Sequence, residues 1–247
     1  MTGWISQAAR RVVDAVYPPR CMSCTNLTDT PSGLCSTCWS GVSFFSGSVC
    51  DLCGVTVATA GTNLGRVICE GCNSRPPPWN RGRAAVAYDG TGRRLILGLK
   101  HGDRLDTAPA LADWMTYAGR DLIHPGCVIA PVPLHWRRLL SRKYNQASEL
   151  AKHISGTTGA HFLPDALHRD VATPQLKGMT RTERAETLDA ALTVNADRAA
   201  DLNAADVVLV DDVMTTGATL SAATTLCQAA GAHSVRILVL ARVVLAD

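Results

Sequence analysis

Two adjacent carboxylates and a hydroxyl-rich turn form the pattern in this sequence that most strongly indicates a functional site. Asp211 and Asp212 follow the apolar run Val207–Val210 and precede a turn that contains Thr215, Thr216, Gly217, Ala218 and Thr219. Backbone N–H groups in such a turn can converge on a phosphate, assisted by the N-terminus of the helix that follows. Two neighbouring carboxylates suit the hydroxyls of a ribose, or a Mg²⁺ ion beside them. The pattern predicts a sugar-phosphate site; the alternative is a strand-to-helix turn whose acids only cap the helix.

Cysteines supply the second pattern. Eight of the ten cysteines form Cys-x-x-Cys pairs before residue 73. A two-residue spacer lets both thiolates of a tight knuckle face one tetrahedral ion, and sites made only of thiolates suit structural zinc. An iron–sulfur or redox role is the alternative, and the knuckles could also pair in an interleaved order. Paired in sequence, the expected ligands are Cys21, Cys24, Cys35 and Cys38 for one zinc, and Cys50, Cys53, Cys69 and Cys72 for the other.

Strand-like and helix-like segments alternate after the cysteines. This alternation predicts an α/β fold with a mostly parallel sheet flanked by helices. The prolines of residues 76–80 predict a linker between residues 1–75, which hold an N-terminal helix and the cysteines, and the α/β domain of residues 81–247. The expected strands are 84–88, 127–132, 207–210 and 235–240, and the expected helices are 91–100, 109–122, 145–154 and 218–230.

Composition excludes several classes of protein. The 247 residues are 47% apolar and 18% charged, which excludes wholesale disorder. No apolar run approaches the ~18 residues of a membrane-spanning helix, and the N-terminus, with Arg10 and Arg11, lacks the continuous apolar run of a signal peptide. These features predict a cytoplasmic protein. The net charge of +3 does not by itself indicate nucleic acid, although the basic excess of residues 81–150 could attract phosphates.

The stretch from Asp211 to Thr219 resembles the motif that binds phosphoribosyl pyrophosphate (PRPP) in type I phosphoribosyltransferases. The match includes the whole core of two acids, two threonines, a glycine and a final threonine. The resemblance implies that Asp211 and Asp212 orient the ribose together with Mg²⁺. It also implies that residues 215–219 hold the 5-phosphate.

Two further segments fit the same resemblance. In such enzymes a loop after an early strand holds pyrophosphate through backbone N–H groups and nearby cations. The candidates here are Val132, Pro133 and Leu134, with the cations Arg137, Arg142 and Lys143. The polar segment Leu167–Leu188 is similar to the hood that closes over PRPP, and its candidate contacts are Arg169, Gln175 and Lys177. The alternatives are an exposed basic helix start for the first segment and a solvated loop for the second.

The order of motifs along the whole chain resembles the ComF family of competence proteins and its GntX-like relatives. This resemblance implies a double zinc ribbon fused to a phosphoribosyltransferase domain, and an association with the uptake of single-stranded DNA. The chain departs from the family at Lys143, where a glycine is common. The motifs that carry the resemblance are the cysteine knuckles, the Pro-rich joint, Tyr88-Asp89-Gly90, Leu97-Gly98-Leu99-Lys100, Pro131-Val132-Pro133-Leu134, Tyr144-Asn145-Gln146 and the acidic motif.

Two functions from different classes follow. One is an enzyme, or an enzyme-derived PRPP binder, that transfers a phosphoribosyl group to an acceptor not identified by the sequence and releases pyrophosphate. The alternative is a non-catalytic module that binds single-stranded DNA or docks to DNA-uptake proteins at the inner membrane face, with PRPP only as a ligand. In that case the aromatic rings available for stacking on bases are Trp39, Phe44, Phe45, Trp79 and Trp136.

Overall fold

The computed structural model describes residues 17–57, 62–63, 65–101, 104–134, 144–169 and 192–244. Among the described residues of the cysteine-rich part, the elements are short: α1 (Ser36–Ser40), β1 (Thr62–Asn63), β2 (Arg66–Val67) and α2 (Glu70–Ser74). The strands and helices of the rest of the chain follow. They are β3 (Arg81–Ala87), α3 (Gly90–His101), α4 (Ala108–Ala118), β4 (Val128–Pro131), α5 (Gln146–Thr158), β5 (His161–Phe162), β6 (Leu167–Arg169), β7 (Leu192–Val194), α6 (Ala199–Leu202), β8 (Asp206–Met214), α7 (Ala218–Ala229) and β9 (Ser234–Arg242).

Five of the strands form one parallel sheet in the order β3-β9-β8-β4-β5. Successive residues of a strand face opposite sides of the sheet. In β8, Val207 and Leu209 therefore pack in one hydrophobic core with α7, whereas Val208 and Val210 pack in a second core with α3, α4 and α5. The predicted α/β fold, with a mostly parallel sheet and flanking helices, is confirmed.

Strand β8 is longer than the sequence predicts. The prediction ended this strand at Val210 because the next two residues, Asp211 and Asp212, are polar. Backbone pairing with β9 nevertheless continues as far as Met214, whereas pairing with β4 stops at Val210. The two acids thus lie in the last part of β8, which is paired with β9 but not with β4. Such an open edge at the carboxyl ends of parallel strands is where α/β folds bind their ligands.

The second cysteine region, residues 50–72, packs backbone to backbone against strand β3. A Cβ atom on Gly82 would lie 2.2 Å from the carbonyl oxygen of Leu52, and one on Gly54 would lie 2.3 Å from the backbone nitrogen of Ala84. The N–H of Gly82 also donates to the carbonyl of Asp51 at 2.8 Å. Side chains at either glycine would force these two segments apart.

Four charged side chains reinforce the same contact. The carboxylate of Asp51 accepts hydrogen bonds from Arg81 at 3.2 Å and from Arg83 at 3.0 Å. Both guanidinium groups also reach Asp121, each at 2.7 Å. Arginine favours the ionised form of its partner, and the pKa of Asp51 lies below its ordinary value, because these bonds and the N–H of Val67 outweigh the opposing effect of burial.

The first cysteine region, residues 21–45, lies along the edge of the same strand. The N–H of Phe45 donates to the carbonyl of Ala85 at 3.1 Å, and the N–H of Ala87 donates to the carbonyl of Ser43 at 2.8 Å. These antiparallel bonds place residues 43–45 beside β3, which would otherwise be an exposed edge strand. Both cysteine regions are therefore attached to one strand.

Substituting Gly54 tests how much this contact contributes. Gly54 and Gly65 both have φ of +78°, but the Cβ position of Gly65 has nothing within 4 Å. Gly65→Ala measures the backbone strain alone, so the difference between the two alanine variants measures the contact. We expect Gly54→Ala to lower the free energy of unfolding by at least about 2 kcal/mol more than Gly65→Ala does, by urea denaturation. Equal losses would contradict the tight packing.

Candidate functional site

Asp211 and Asp212 lie on opposite sides of the sheet. Asp211 lines a cavity of about 90 Å³ beneath the turn that follows β8. Asp212 is buried and pairs with Lys100 of helix α3, whose Nζ lies 2.8 Å from its carboxylate. The structure thus places only Asp211 in the cavity with the turn.

The electrostatics of Asp211 distinguish it from an ordinary surface carboxylate. Burial and the neighbouring charge of Asp212 raise its pKa to about 7. The N–H of Asp212, which donates to Asp211 at 2.8 Å, and the positive charges of Lys100 and Arg169 act in the opposite direction. A carboxyl group with a pKa near neutrality is typical of a functional site, because it changes its charge when a cation or another ligand binds.

The turn at residues 215–219 has the backbone geometry expected of an anion site. Gly217 adopts a left-handed conformation with φ of +83° and is the N-cap of α7, a helix of twelve residues. All residues from Val213 to Leu220 line the cavity. N–H groups at the start of a helix and the positive end of its dipole favour a phosphate. The structure therefore combines Asp211, the turn and the helix start around one small cavity.

The side chain of Arg242 forms hydrogen bonds to the backbone at the start of this turn. Its Nη1 donates to the carbonyl of Met214 at 3.3 Å and also to the carbonyl of Thr215, and the N–H of Val243 donates to Met214 at 3.0 Å. Sequence reasoning assigned no role to Arg242, since nothing local marks an arginine at the end of a strand. The sequence likewise indicates no role for Lys100, although Lys100 ends the motif Leu97-Gly98-Leu99-Lys100.

The second predicted loop lies at the neighbouring strand end. The N–H of Val132 donates to the carbonyl of Val210 at 2.9 Å, and Asn145 donates to the carbonyl of Val132 at 3.0 Å. Val132 is buried, and Pro133 and Leu134 are half-buried. This loop therefore follows β4 directly beside the open edge of β8. The predicted cations Arg137, Arg142 and Lys143 lie outside the described residues.

The predicted hood, Leu167–Leu188, is described only at its start, residues 167–169. Strands β6 and β7 pair in an antiparallel manner, with Arg169 opposite Leu192. Arg169 is close enough to Asp211 for its charge to lower the pKa of that carboxyl. Of the predicted hood contacts, Arg169 thus lies near the cavity, whereas Gln175 and Lys177 fall outside the described residues.

The eight paired cysteines form two clusters. In each cluster the four sulfur atoms lie within 4.8 Å of one another, and no cysteine is shared between clusters. The sets are those expected from consecutive pairing: Cys21, Cys24, Cys35 and Cys38, and then Cys50, Cys53, Cys69 and Cys72.

Hydrogen bonds within the clusters act differently on different cysteines: the pKa is lowered at Cys21 and Cys50, whereas burial and hydrogen bonds with neighbouring cysteines raise it at Cys38, Cys53 and Cys72. Burial raises the pKa of Cys21, but hydrogen bonds from backbone N–H groups, including that of Ser23, overcome this and lower it to about 6. Hydrogen bonds from Cys53 and Cys72 lower the pKa of Cys50, whose sulfur also accepts from the N–H of Cys69 at 3.3 Å. Four thiolates around one ion are the ligand set of structural zinc and leave no position for a catalytic water. Both clusters fit structural zinc.

Aromatic side chains form a surface cluster between the first cysteine region and α4. The ring of Trp39 lies 5.1 Å from that of Phe44, and Trp114 lies 4.9 Å from Phe44. With Tyr117, which is 73% exposed, they line a cavity of about 350 Å³. Of the aromatic residues considered for base stacking, Trp39, Phe44 and Phe45 line this cavity, Trp79 is buried elsewhere, and Trp136 lies outside the described residues.

Comparison with known families agrees with both halves of this structure. Residues 12–73 match the family described as "Double zinc ribbon domain". Residues 145–243 match the family described as "Phosphoribosyl transferase domain". The first match contains both cysteine clusters, and the second contains β8, the turn and α7.

Curated relatives match most of the chain. "Competence protein F" of Haemophilus influenzae is 28% identical over 230 residues, which cover 90% of this chain and 96% of that protein. "DNA utilization protein YhgH" of Escherichia coli K12 is 27% identical and covers 85% of this chain and 90% of its own. The protein of the same name in Salmonella typhimurium is 28% identical with the same coverage.

Among solved structures, one described as "structure of the allosteric regulatory enzyme of purine biosynthesis" covers 58% of this chain and 30% of its own. Its TM-score is 0.39 at 16% identity, so the likeness does not bear on function. Within the residues that the structure describes, no helix combines the length and apolar character needed to cross a membrane. The chain thus combines a double zinc ribbon domain with a phosphoribosyltransferase domain, and over most of its length it is similar to proteins named for competence and DNA utilization.

Proposed function

We propose that this protein binds PRPP with Mg²⁺ at the open edge of β8 and transfers the phosphoribosyl group to an acceptor during the handling of DNA taken up by the cell. The observation that carries the proposal is the cavity where Asp211 faces the helix start at residues 215–219. The names of the relatives, a competence protein and DNA utilization proteins, supply the link to DNA.

Each part of the site has a role in this proposal. The N–H groups of residues 215–219 hold the 5-phosphate, and Arg242 keeps the turn in place through the carbonyls of Met214 and Thr215. As a carboxylate, Asp211 accepts hydrogen bonds from the ribose hydroxyls. The loop of residues 132–134 lies at the adjacent strand end, where pyrophosphate would extend.

The proposed reaction exchanges two bonds at the anomeric carbon of the ribose. The bond to the pyrophosphate oxygen breaks, and its electron pair leaves with pyrophosphate. A lone pair on the acceptor forms the new bond, and the acceptor loses a proton to solvent. Bound Mg²⁺ would neutralise the negative charge that grows on pyrophosphate. The hood predicted at Leu167–Leu188 would exclude water from the electron-poor sugar.

Calorimetry and product analysis test the two parts of this proposal separately. Titration of the full chain with PRPP and Mg²⁺ should give saturable binding, whereas no heat above that of dilution would contradict the donor site. Release of pyrophosphate is then screened across nucleobases, amines and single-stranded DNA ends. Binding without release in any mixture would leave a PRPP-dependent binding protein and reject transfer.

Binding of single-stranded DNA is a second candidate function, favoured by the aromatic cluster. Trp39 and Tyr117 present exposed rings, and the guanidinium of Arg120 lies 4.6 Å from the ring of Tyr117. Exposed rings with nearby arginine suit the stacking of unpaired bases, which contributes ~1–3 kcal/mol per base. This surface is separate from the cavity at Asp211, so the two functions are compatible.

Substitutions in the aromatic cluster test the second candidate. Trp39→Ala and Tyr117→Ala should each weaken the binding of a labelled single-stranded oligonucleotide about tenfold in fluorescence anisotropy. The affinity of the unmodified protein should fall steeply with salt. Leu27→Ala removes a similarly exposed apolar side chain and serves as the control. An equal loss in all three variants, or no binding at low salt, would argue against this surface.

A further inference from the structure

Trp79 lies between the second cysteine cluster and the turn at residues 215–219. Its side chain is only 6% exposed. The indole N–H donates to the carbonyl oxygen of Leu52 at 2.6 Å. Leu52 belongs to the knuckle between Cys50 and Cys53, so this hydrogen bond ties the indole directly to the backbone that carries two zinc ligands.

The far end of the indole ring supports the apex of the turn. A Cβ atom on Gly217 would lie 3.0 Å from the Cη2 atom of Trp79 and 3.8 Å from its Cζ3 atom. The sulfur of Met214 lies on the same side, 3.6 Å from that position. The curvature of the turn depends on Gly217, which has a left-handed backbone. The indole ring of Trp79 fills the space behind this residue.

Neighbouring backbone bonds fix Trp79 between its two contacts. The N–H of Asn80 donates to the carbonyl of Val235 at 2.8 Å, and the N–H of Val235 donates to the side chain of Asn80 at 2.8 Å. On the other side of Trp79, Gln228 of α7 donates to the carbonyl of Pro78 at 3.0 Å. Cys50, Leu52 and Trp79 also share one continuous hydrophobic core with Met214 and Leu220.

We propose that Trp79 is a positioning residue for the phosphate turn and that the second zinc ribbon determines where Trp79 sits. In this arrangement, the metal fixes the knuckle, the carbonyl of Leu52 fixes the indole, and the indole fixes Gly217. Affinity for a phosphorylated ligand then depends on zinc in the second ribbon, although none of the eight clustered cysteines lines the ligand cavity. The identity of the ligand rests on the proposed function, whereas the coupling between ribbon and turn does not.

Two substitutions separate the parts of this connection in the full, zinc-loaded chain. Trp79→Leu removes the ring that packs behind Gly217, and Trp79→Phe keeps an aromatic ring but removes the donor to Leu52. Ile237→Ala is the matched control, because Ile237 is fully buried in the same core but lies in the middle of β9. The variants at Trp79 and Ile237 are checked for two zinc ions per chain before measurement.

Hydrogen exchange is the first readout, because it does not depend on PRPP. In Trp79→Leu, amides of residues 215–220 should exchange at least about tenfold faster than in Ile237→Ala at matched global stability. Trp79→Phe should give a smaller increase, and Cys50→Ser, which weakens the second zinc site, should reproduce the increase with Trp79 intact. Equal exchange at the turn in Trp79→Leu and Ile237→Ala would overturn the proposal and leave Trp79 as a core residue.

PRPP affinity is the second readout and separates failure of the two proposals. If the unmodified protein binds PRPP, Trp79→Leu should bind it about tenfold more weakly, while Ile237→Ala should bind it normally. Unchanged affinity in Trp79→Leu would contradict the positioning role. If the unmodified protein does not bind PRPP but the turn still responds in hydrogen exchange, the proposed function fails and the coupling stands.

Discussion

Asp211→Asn should weaken the binding of PRPP with Mg²⁺ about a hundredfold at pH 8, because the amide keeps the shape of the carboxyl but cannot supply a negative charge. Hydrogen bonds from the ribose hydroxyls to a carboxylate are about twice as strong as those to a neutral group. Calorimetry measures the loss. Asp29→Asn, at an exposed acid far along the sequence from the turn, is the control. Normal binding of PRPP by Asp211→Asn would contradict a role for this carboxylate in the site.

The same residue should make affinity depend on pH. Since the pKa of Asp211 is raised to about 7, most of the carboxyl is protonated at pH 6 and cannot accept the hydrogen bonds that PRPP needs. Affinity of the unmodified protein should therefore rise between about pH 6 and about pH 8, and the rise should disappear in Asp211→Asn. In Lys100→Met the midpoint should move to higher pH, because the charge of Lys100 lowers the pKa of Asp211.

Stability should depend on pH in the opposite direction. The pKa of Asp211 lies above its ordinary value of 3.8, so the folded chain binds more protons than the unfolded chain between that value and about 7. The stability linked to protonated Asp211 is fully present below the ordinary pKa and is lost as the pH rises through the raised one. Relative to Asp211→Asn, the free energy of unfolding should fall from about pH 5 to about pH 8. A rise would contradict the burial of this group.

Loss of the second zinc site should have the largest effect on the fold. The variant Cys50→Ser/Cys53→Ser should contain about one zinc per chain rather than two, as measured by metal analysis. Apparent binding free energies of structural zinc are ~10–16 kcal/mol, which is comparable to the whole stability of a domain. Because Cys50 and Cys53 belong to the core that includes Trp79, we expect the variant to lose the cooperative thermal transition of the whole protein.

The matched comparison is Cys24→Ser/Cys35→Ser in the first ribbon. It also removes one zinc, but Cys24 is exposed and Cys35 is half-buried, whereas Cys50 and Cys53 are 0% and 2% exposed. This variant should retain a cooperative transition at a lower temperature. If the two double variants show the same thermal transition, the second ribbon contributes no more to the stability of the core than the first. If metal analysis finds iron, or finds no metal in the unmodified protein, the zinc assignment is wrong.

Local patterns were sufficient to predict the strands β3, β4, β8 and β9, the helices α3, α4, α5 and α7, and the two cysteine clusters, but not the shorter elements. Short apolar runs and helical periodicity depend on nearby residues, as does the two-residue spacer of a zinc knuckle. The acidic turn was also visible, because a strand, two acids and a hydroxyl-rich helix start are contiguous. Whether each predicted residue at this turn contacts PRPP stays a prediction.

Contacts between distant segments could not be predicted in this way. The pairing of Asp212 with Lys100 depends on how α3 packs on the sheet, and Arg242 reaches the turn only because β9 lies beside β8. The close approach of Gly82 to Leu52 is equally non-local. The sequence also does not reveal that β8 continues past its apolar run, since strand pairing uses the backbone and is indifferent to the acidic side chains.

The order of strands has a consequence for synthesis on the ribosome. Strand β9 follows every other described strand in the chain, yet it lies between β3 and β8. Strand β3 therefore cannot become part of the sheet that carries Asp211 until residues 234–242 have emerged. All eight zinc ligands precede residue 73, so metal can enter a nascent chain whose sugar-phosphate site does not yet exist.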